Sequence, residues 1–292
     1  MRRRRIRHGT IRPSGIVRRA RGGDPRRRPG LAPRPGWAPG ALDCTAGASS
    51  SLRAVTAVHT PLQTPAQVQG MFGRIAGRYD LLNRVLSARR DVAWRRAALG
   101  MIEGAPQDAL DLATGTFDVA LELIARGKAQ RVHASDFCQP MLVAGGTKRA
   151  GKPVTASLAD AMRLPFADAS FDLASVAYGW RNFPDPALSA RELSRVLRPG
   201  GQLLIIEFFR PVRWWPRLFS ATFNRAVMPA AGFLLAGDAS AYRYLHRSIR
   251  AFASTDEADG ILRSAGFART RWMSFFGGIS HAVHAVKDGG IR

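Results

Sequence analysis

The sequence predicts an α/β protein built on a mostly parallel, doubly wound sheet, and three observations predict it. Downstream of residue 66, short apolar runs alternate with stretches whose apolar residues recur at helical spacing. That is the pattern of a parallel sheet covered by helices on both faces. Acids and small-residue turns close several of these runs, as expected where a ligand sits beyond the carboxyl ends of parallel strands. Near the end, FARTRWMSFF and GISHAVHAVK flank Gly277-Gly278, which predicts an antiparallel pair.

In chain order, residues 1–66 come first. They hold 14 arginines against two acids, Asp24 and Asp43, and so carry about half of the net charge of +23. The charge is therefore concentrated in a leader, and no specific nucleic-acid partner is expected for the folded part. Rich in Arg, Pro and Gly and without a hydrophobic period, the leader cannot offset its chain entropy by burial and is expected to be disordered. It lacks the apolar core of a secretory signal. The favoured reading is a leader without function, Met71 being a candidate later start, with a polyanion-binding arm as the alternative.

Residues 67–292 are long enough for one large domain. Strands are expected at 109–114, 131–135, 154–158, 171–177 and 202–207, with helices between most of them. A helix carrying Leu193, Val196 and Leu197 is expected to stop at Pro199-Gly200-Gly201 before the last of these strands. Residues 208–250 then interrupt the sheet pattern with aromatic, methionine and arginine residues. They suit a helical lid over an apolar substrate, or an interfacial segment; ordinary helix packing explains them equally well. No run approaches the roughly 18 consecutive apolar residues of a membrane span. Cys44 and Cys138 are too few and too far apart for a disulfide framework or a zinc site, so no metal is expected and a reducing compartment is.

The rule that ligands sit beyond the strand ends selects four places. The first is the turn after 109–114, where Asp111 precedes Ala113-Thr114-Gly115-Thr116 and Phe117 stands where a second glycine is usual. The second is Asp136, 21 residues after Gly115, placed to accept hydrogen bonds from ribose hydroxyls. The third is Asp160-Ala161, and the fourth is AYGWRNF at 177–183. Singly, each acid reads equally as a turn or capping residue; together at one sheet edge they point to a cofactor site. The turn is not G-x-G-x-x-G, and Asp111 stands where a dinucleotide's pyrophosphate would lie. A carboxylate there repels phosphates and suits a cofactor with a cationic end, such as the ammonium and sulfonium of S-adenosylmethionine.

These residues resemble the ubiquinone/menaquinone biosynthesis C-methyltransferases over about residues 68–287. The resemblance rests on MFGRIAGRYDLLNRVLS (71–87) with Trp94-Arg95, DLATGT, LPFADASFD, YGWRNFPD, RVLRPGGQLLIIEF and GDASAYRYLHRSI (237–249). It implies a seven-stranded class I S-adenosylmethionine-dependent methyltransferase sheet, with Thr116, Asp136 and Asp160-Ala161 at cofactor-contacting positions. It also implies a polyprenylated naphthoquinol substrate and a cytoplasmic location with peripheral contact at the inner face of the cell membrane. Homo-oligomerisation is left open.

Two departures stand out. Gly115-Thr116-Phe117-Asp118 replaces the family's Gly-Thr-Gly-Asp, and Ala177-Tyr178 replaces its serine and phenylalanine. If Phe117 must adopt a positive φ it costs about 1–2 kcal/mol, which a domain of this size tolerates; the ring is then expected to pack away from the cofactor. The implied reaction is attack of a quinol ring carbon on the sulfonium methyl. Arg181 is expected to stabilise the developing phenolate, Asn182 to orient the hydroxyl or a proton-accepting water, and Tyr79 to wall the site. A structural salt bridge is the alternative for Arg181. His281 and His284, an odd number of residues apart, are expected on opposite faces of a strand as ordinary strand residues. Demethylmenaquinol is the favoured substrate; a ubiquinone-precursor benzoquinol, or a catalytically silent quinone-binding relative, is the alternative.

Overall fold

A computed structural model describes residues 63–87, 89–211 and 240–290. The chain opens with three helices, α1 (Pro65–Ile75), α2 (Tyr79–Leu86) and α3 (Arg90–Leu99). Thr64 caps α1, its hydroxyl accepting from the Gln67 N–H while the Gln67 side chain accepts from the Thr64 N–H. This reciprocal pair satisfies two donors that a helix start leaves open. The folded chain thus begins before residue 67, two residues or more inside the expected leader. The rest of that leader lies outside the described residues.

The sheet has seven strands in the order β3-β2-β1-β4-β5-β7-β6. They are β1 (Asp108–Leu112), β2 (Arg131–Asp136), β3 (Val154–Leu158), β4 (Phe171–Ala177), β5 (Leu197–Glu207), β6 (Phe267–Phe275) and β7 (Ser280–Lys287). The first five pair in parallel, and β7 is antiparallel to both β5 and β6. Helices α4 (Asp118–Ala125), α5 (Gln139–Gly145) and α6 (Pro186–Val196) connect the parallel strands, while α7 (Ser240–Ala251) and α8 (Thr255–Ser264) precede the hairpin. The expected fold is borne out.

Alternation along β1 divides the core. Leu110 and Leu112 face a cluster with Trp180, Leu193, Phe209 and Phe252, whereas Ala109 faces Leu99, Phe117, Leu123 and Val132 on the other side. One punctuation mark falls differently from expectation. α6 ends at Val196, and β5 begins at once with Leu197 opposite Phe171 before the pairing jumps to Gln202 opposite Leu173. Pro199-Gly200-Gly201 therefore bulges out of a strand rather than separating helix from strand. Of the expected 208–250 lid, residues 212–239 lie outside the described residues; its end is α7.

Candidate active site

The strand order reverses direction between β1 and β4, and ligands of open α/β sheets sit over such a switch point. The β1 and β4 loops meet there at close range. A Cβ on Gly179 would stand 2.5 Å from the Cβ of Ala113, closer than any real contact, so glycine is required at 179. Between these loops lies a pocket whose empty space, open mouth included, is about 910 Å³.

Six of the nine expected site residues line this pocket: Tyr79, Gly115, Asp136, Asp160, Ala161 and Asn182. Asp136, at the end of β2, accepts from the Gly115 N–H through Oδ2 and from the Cys138 N–H through Oδ1, each at 2.8 Å. Burial pushes its carboxyl up, against the pull of these backbone bonds. A carboxylate has about four lone-pair sites, so acceptor capacity remains toward the pocket. The Asp160 carboxylate accepts from the Met162 N–H at 2.9 Å, fixing the loop that presents Ala161.

The other three expected residues stand elsewhere. Asp111 is 1% exposed, and its carboxylate accepts from Thr114 Oγ1 and Ser175 Oγ, both at 2.6 Å. Burial pushes its pKa up to about 6, with these hydroxyls and the Ala120 N–H opposing. Alternation turns Asp111 into the sheet face shared with Ser175, so it stands behind the pocket wall and braces the turn through Thr114 and the start of α4 through Ala120. Thr116 is buried as well, its hydroxyl donating to Asp80 Oδ1 at 2.5 Å.

Arg181 is off the pocket wall. Its Nη1 donates to Glu207 Oε1 at 2.5 Å and to the Tyr178 carbonyl at 2.8 Å, and its backbone N–H donates to Glu207 Oε2 at 3.2 Å. Glu207 ends β5 and is fully buried. The salt-bridge alternative describes this arginine, which ties the β4 loop to the end of β5. Nε of Arg181 has no partner among the described residues.

Phe117 has φ +70°, a left-handed conformation. Its ring is fully buried under α5, away from the pocket, as expected. Gly145 makes this packing geometrically feasible: a Cβ there would come within 2.7 Å of both the Phe117 ring and the Thr116 Cα. His281 and His284 point to opposite faces as expected, His284 bonding Gln202 at 2.8 Å and His281 meeting the Phe209 ring.

Two features were missed. α1 roofs the pocket through Val68, Gln69 and Phe72, and the Gln69 amide donates to the Phe137 carbonyl at 3.0 Å. Thr64-Pro65 with Gln67 is a helix-start signature that could have revealed it. Tyr244, on α7, donates from its hydroxyl to Asn182 Oδ1 at 2.9 Å; no local pattern predicts that long-range bond. A charged network also ties the opening helices to the cofactor turn. Asp91 accepts from Ser87 and pairs with Arg95, Arg95 pairs with Asp118, and Lys148 bridges Asp118 and Asp80. Burial alone would raise the Asp80 carboxyl, but Lys148 and Thr116 outweigh it and hold it below the ordinary aspartate range.

The fold is that of the class I methyltransferases. The architecture matches a solved Thermotoga maritima S-adenosylmethionine-dependent methyltransferase described as a possible histamine N-methyltransferase (TM-score 0.57, 17% identity, 75% of this chain and 99% of that one). It matches equally a putative methyltransferase solved in complex with the Haloferax volcanii Trm112 activator (TM-score 0.57, 15% identity, 74% and 97%). At such identities the likeness shows the fold alone.

The chain belongs to the ubiE/COQ5 methyltransferase family, which matches residues 61–287. Among its relatives, demethylmenaquinone methyltransferases of Thermus thermophilus and Deinococcus radiodurans are 41% and 42% identical, covering 71% and 73% of this chain and 96% and 89% of theirs. A Paracoccus denitrificans ubiquinone/menaquinone biosynthesis C-methyltransferase UbiE is 38% identical over 75% of this chain and 89% of its own. No helix among the described residues is long and apolar enough to cross a membrane.

Proposed function

We propose that the protein methylates a ring carbon of demethylmenaquinol to give menaquinol, with S-adenosylmethionine as methyl donor. The observation that carries this reading is one pocket whose wall joins Asp136 and Gly115 to Tyr79 and Asn182. The demethylmenaquinone methyltransferases among its relatives favour the naphthoquinol over a benzoquinol.

The residues present fit the donor. Asp136 offers a buried carboxylate to paired hydroxyls, Ala113 and Gly115 keep the floor small, and Phe137 with Ala161 borders a slot for a flat ring. When bound, S-adenosylmethionine supplies an electrophilic methyl group. Asn182 is the group best placed toward the second substrate. Its carbonyl oxygen is held by Tyr244, and its amide leans on the Tyr178 carbonyl at 3.4 Å. One amide N–H thus remains for a quinol oxygen. As that oxygen loses its proton to water, the ortho carbon gains electron density, and a fixed donor stabilises the developing phenolate. Burial pushes the Tyr79 phenol up, so it stays protonated at neutral pH and keeps an O–H to donate. Arg181 sets the loop that carries Asn182.

The test is methyl transfer from deuterium-labelled donor by the purified full chain, with short-chain demethylmenaquinol and a benzoquinol precursor in separate reactions. A single labelled methyl on the naphthoquinol is expected. Methylation of the benzoquinol alone, or donor binding without any methylated quinol, overturns the proposal.

A further inference from the structure

The pocket wall and the outer surface meet on the same short helix. Tyr79 of α2 faces the pocket, while Leu81 and Val85, on the other side of the helix, are 57% and 49% exposed. Arg78, Arg84 and Arg89 are exposed beside them, and none of the three pairs with an acid among the described residues. The acids of this segment are turned inward: Asp80 to Thr116 and Lys148, Asp91 to Ser87 and Arg95. The outer side of α2 thus carries large apolar groups and cations that make no ion pair among the described residues.

This surface continues onto the β6–β7 hairpin. The Arg90 guanidinium lies 4.4 Å from the Phe276 ring centroid, and Trp94 stacks on Phe275 at 6.0 Å. Phe276 is itself 42% exposed. Register places the hairpin tip at the ligand edge of the sheet, because Glu207 at the end of β5 pairs with His281 at the start of β7. Phe276 therefore stands at the ligand edge of the sheet, joined through Arg90 to the chain segment that carries Leu81, Val85, Arg78, Arg84 and Arg89.

We propose that this edge docks on an anionic lipid bilayer, with the arginines at the phosphates and the three apolar side chains in the acyl boundary. Both halves of the chemistry are needed. Basic residues near an anionic leaflet each strengthen adsorption about fivefold, and apolar side chains gain by entering the interface. A nucleic acid offers phosphates but no apolar interior for Leu81, Val85 and Phe276. A second copy of the chain would set arginine against arginine. Docking here presents the pocket to a substrate held in the bilayer by its isoprenoid tail, an advantage that rests on the proposed quinol substrate.

The experiment is flotation of the full chain with vesicles of phosphatidylcholine, with and without phosphatidylglycerol, at several salt concentrations. The leader's arginines are common to every variant, so differences between variants belong to this edge. Arg78→Ser/Arg84→Ser and Leu81→Ser/Val85→Ser/Phe276→Ser should each lower partition onto anionic vesicles at least about tenfold. Turnover of a soluble short-chain quinol and thermal unfolding should remain unchanged. If the triple variant unfolds, Leu81→Ser alone is read in its place. Wild-type partition in either variant, or equal binding to neutral and anionic vesicles, overturns the proposal. So does loss of binding to a single-stranded RNA probe in both variants with vesicle binding intact. Failure of the soluble turnover assay in the wild type would instead sink the proposed function and leave the vesicle result standing.

Discussion

Restoring the usual glycine at 117 should destabilise the protein. Phe117 is fully buried, so truncating it forfeits the packing of an aromatic core residue, about 3–5 kcal/mol. Its φ of +70° is strained for any residue with a Cβ, and glycine relieves about 1–2 kcal/mol of that. The balance for Phe117→Gly is a net loss of about 2–3 kcal/mol, or a drop in Tm of roughly 5–10 °C for a domain of this size. Phe117→Ala loses the packing and keeps the strain, so it should fall about 1–2 kcal/mol below the glycine variant. Urea and thermal unfolding of the three proteins should therefore rank phenylalanine, glycine, alanine. Cofactor affinity by calorimetry should not change, because the ring is off the pocket wall. A glycine variant more stable than wild type would refute the packing argument, and one that gained affinity would refute the claim that the turn already has its working shape.

Asp136→Ala should weaken S-adenosylmethionine binding by about 1.5–3 kcal/mol, since a charged acceptor is lost; calorimetric affinity equal to wild type would remove Asp136 from the site. Arg181→Ala leaves Glu207 buried without its partner and should lower stability in urea by about 3–5 kcal/mol. An Arg181→Ala protein of unchanged stability with turnover reduced about 10²–10³-fold would return the arginine to the chemistry. Asp111 bears on pH: its folded pKa of about 6 lies above the ordinary 3.8. Between those values the folded state keeps a proton that the unfolded state has released, so its contribution to stability falls as pH rises through that window and levels off above it, by about 3 kcal/mol in all. Asp111→Asn should remove this fall, seen as the wild-type-minus-mutant difference in unfolding free energy across pH 4–7; a difference flat with pH contradicts it.

The fold was legible because periodicity and punctuation carry it. Four of the five expected strands agree with β1 to β4 within two residues at each end, and Gly277-Gly278 located the hairpin. The fifth strand began early because a bulge, not a helix stop, absorbs Pro199-Gly200-Gly201. The site was legible where residues end strands, as Asp136 does, or sit in the loops just beyond them, as Gly115, Asp160 and Asn182 do. It failed where side-chain direction decides. Asp111 and Asp136 both lie at strand ends, yet alternation sends one toward Ser175 and leaves the other on the pocket wall. The ion pair of Arg181 was not legible because its partner, Glu207, is 26 residues away on another strand. Tyr244 was invisible for the same reason.

The network from Ser87 to Thr116 alternates in sign, with Asp91, Arg95, Asp118, Lys148 and Asp80 in series. Series connection makes its members interdependent. Removing Lys148 sets the carboxylates of Asp80 and Asp118 against each other, so a second change at either acid should hurt less than it does in the intact protein. Mutational effects here will not add, and the tolerance of one site depends on what occupies the next. The tie between the opening helices and the turn after β1 should therefore resist gradual, one-residue-at-a-time replacement more than its part-buried, individually modest ion pairs would suggest.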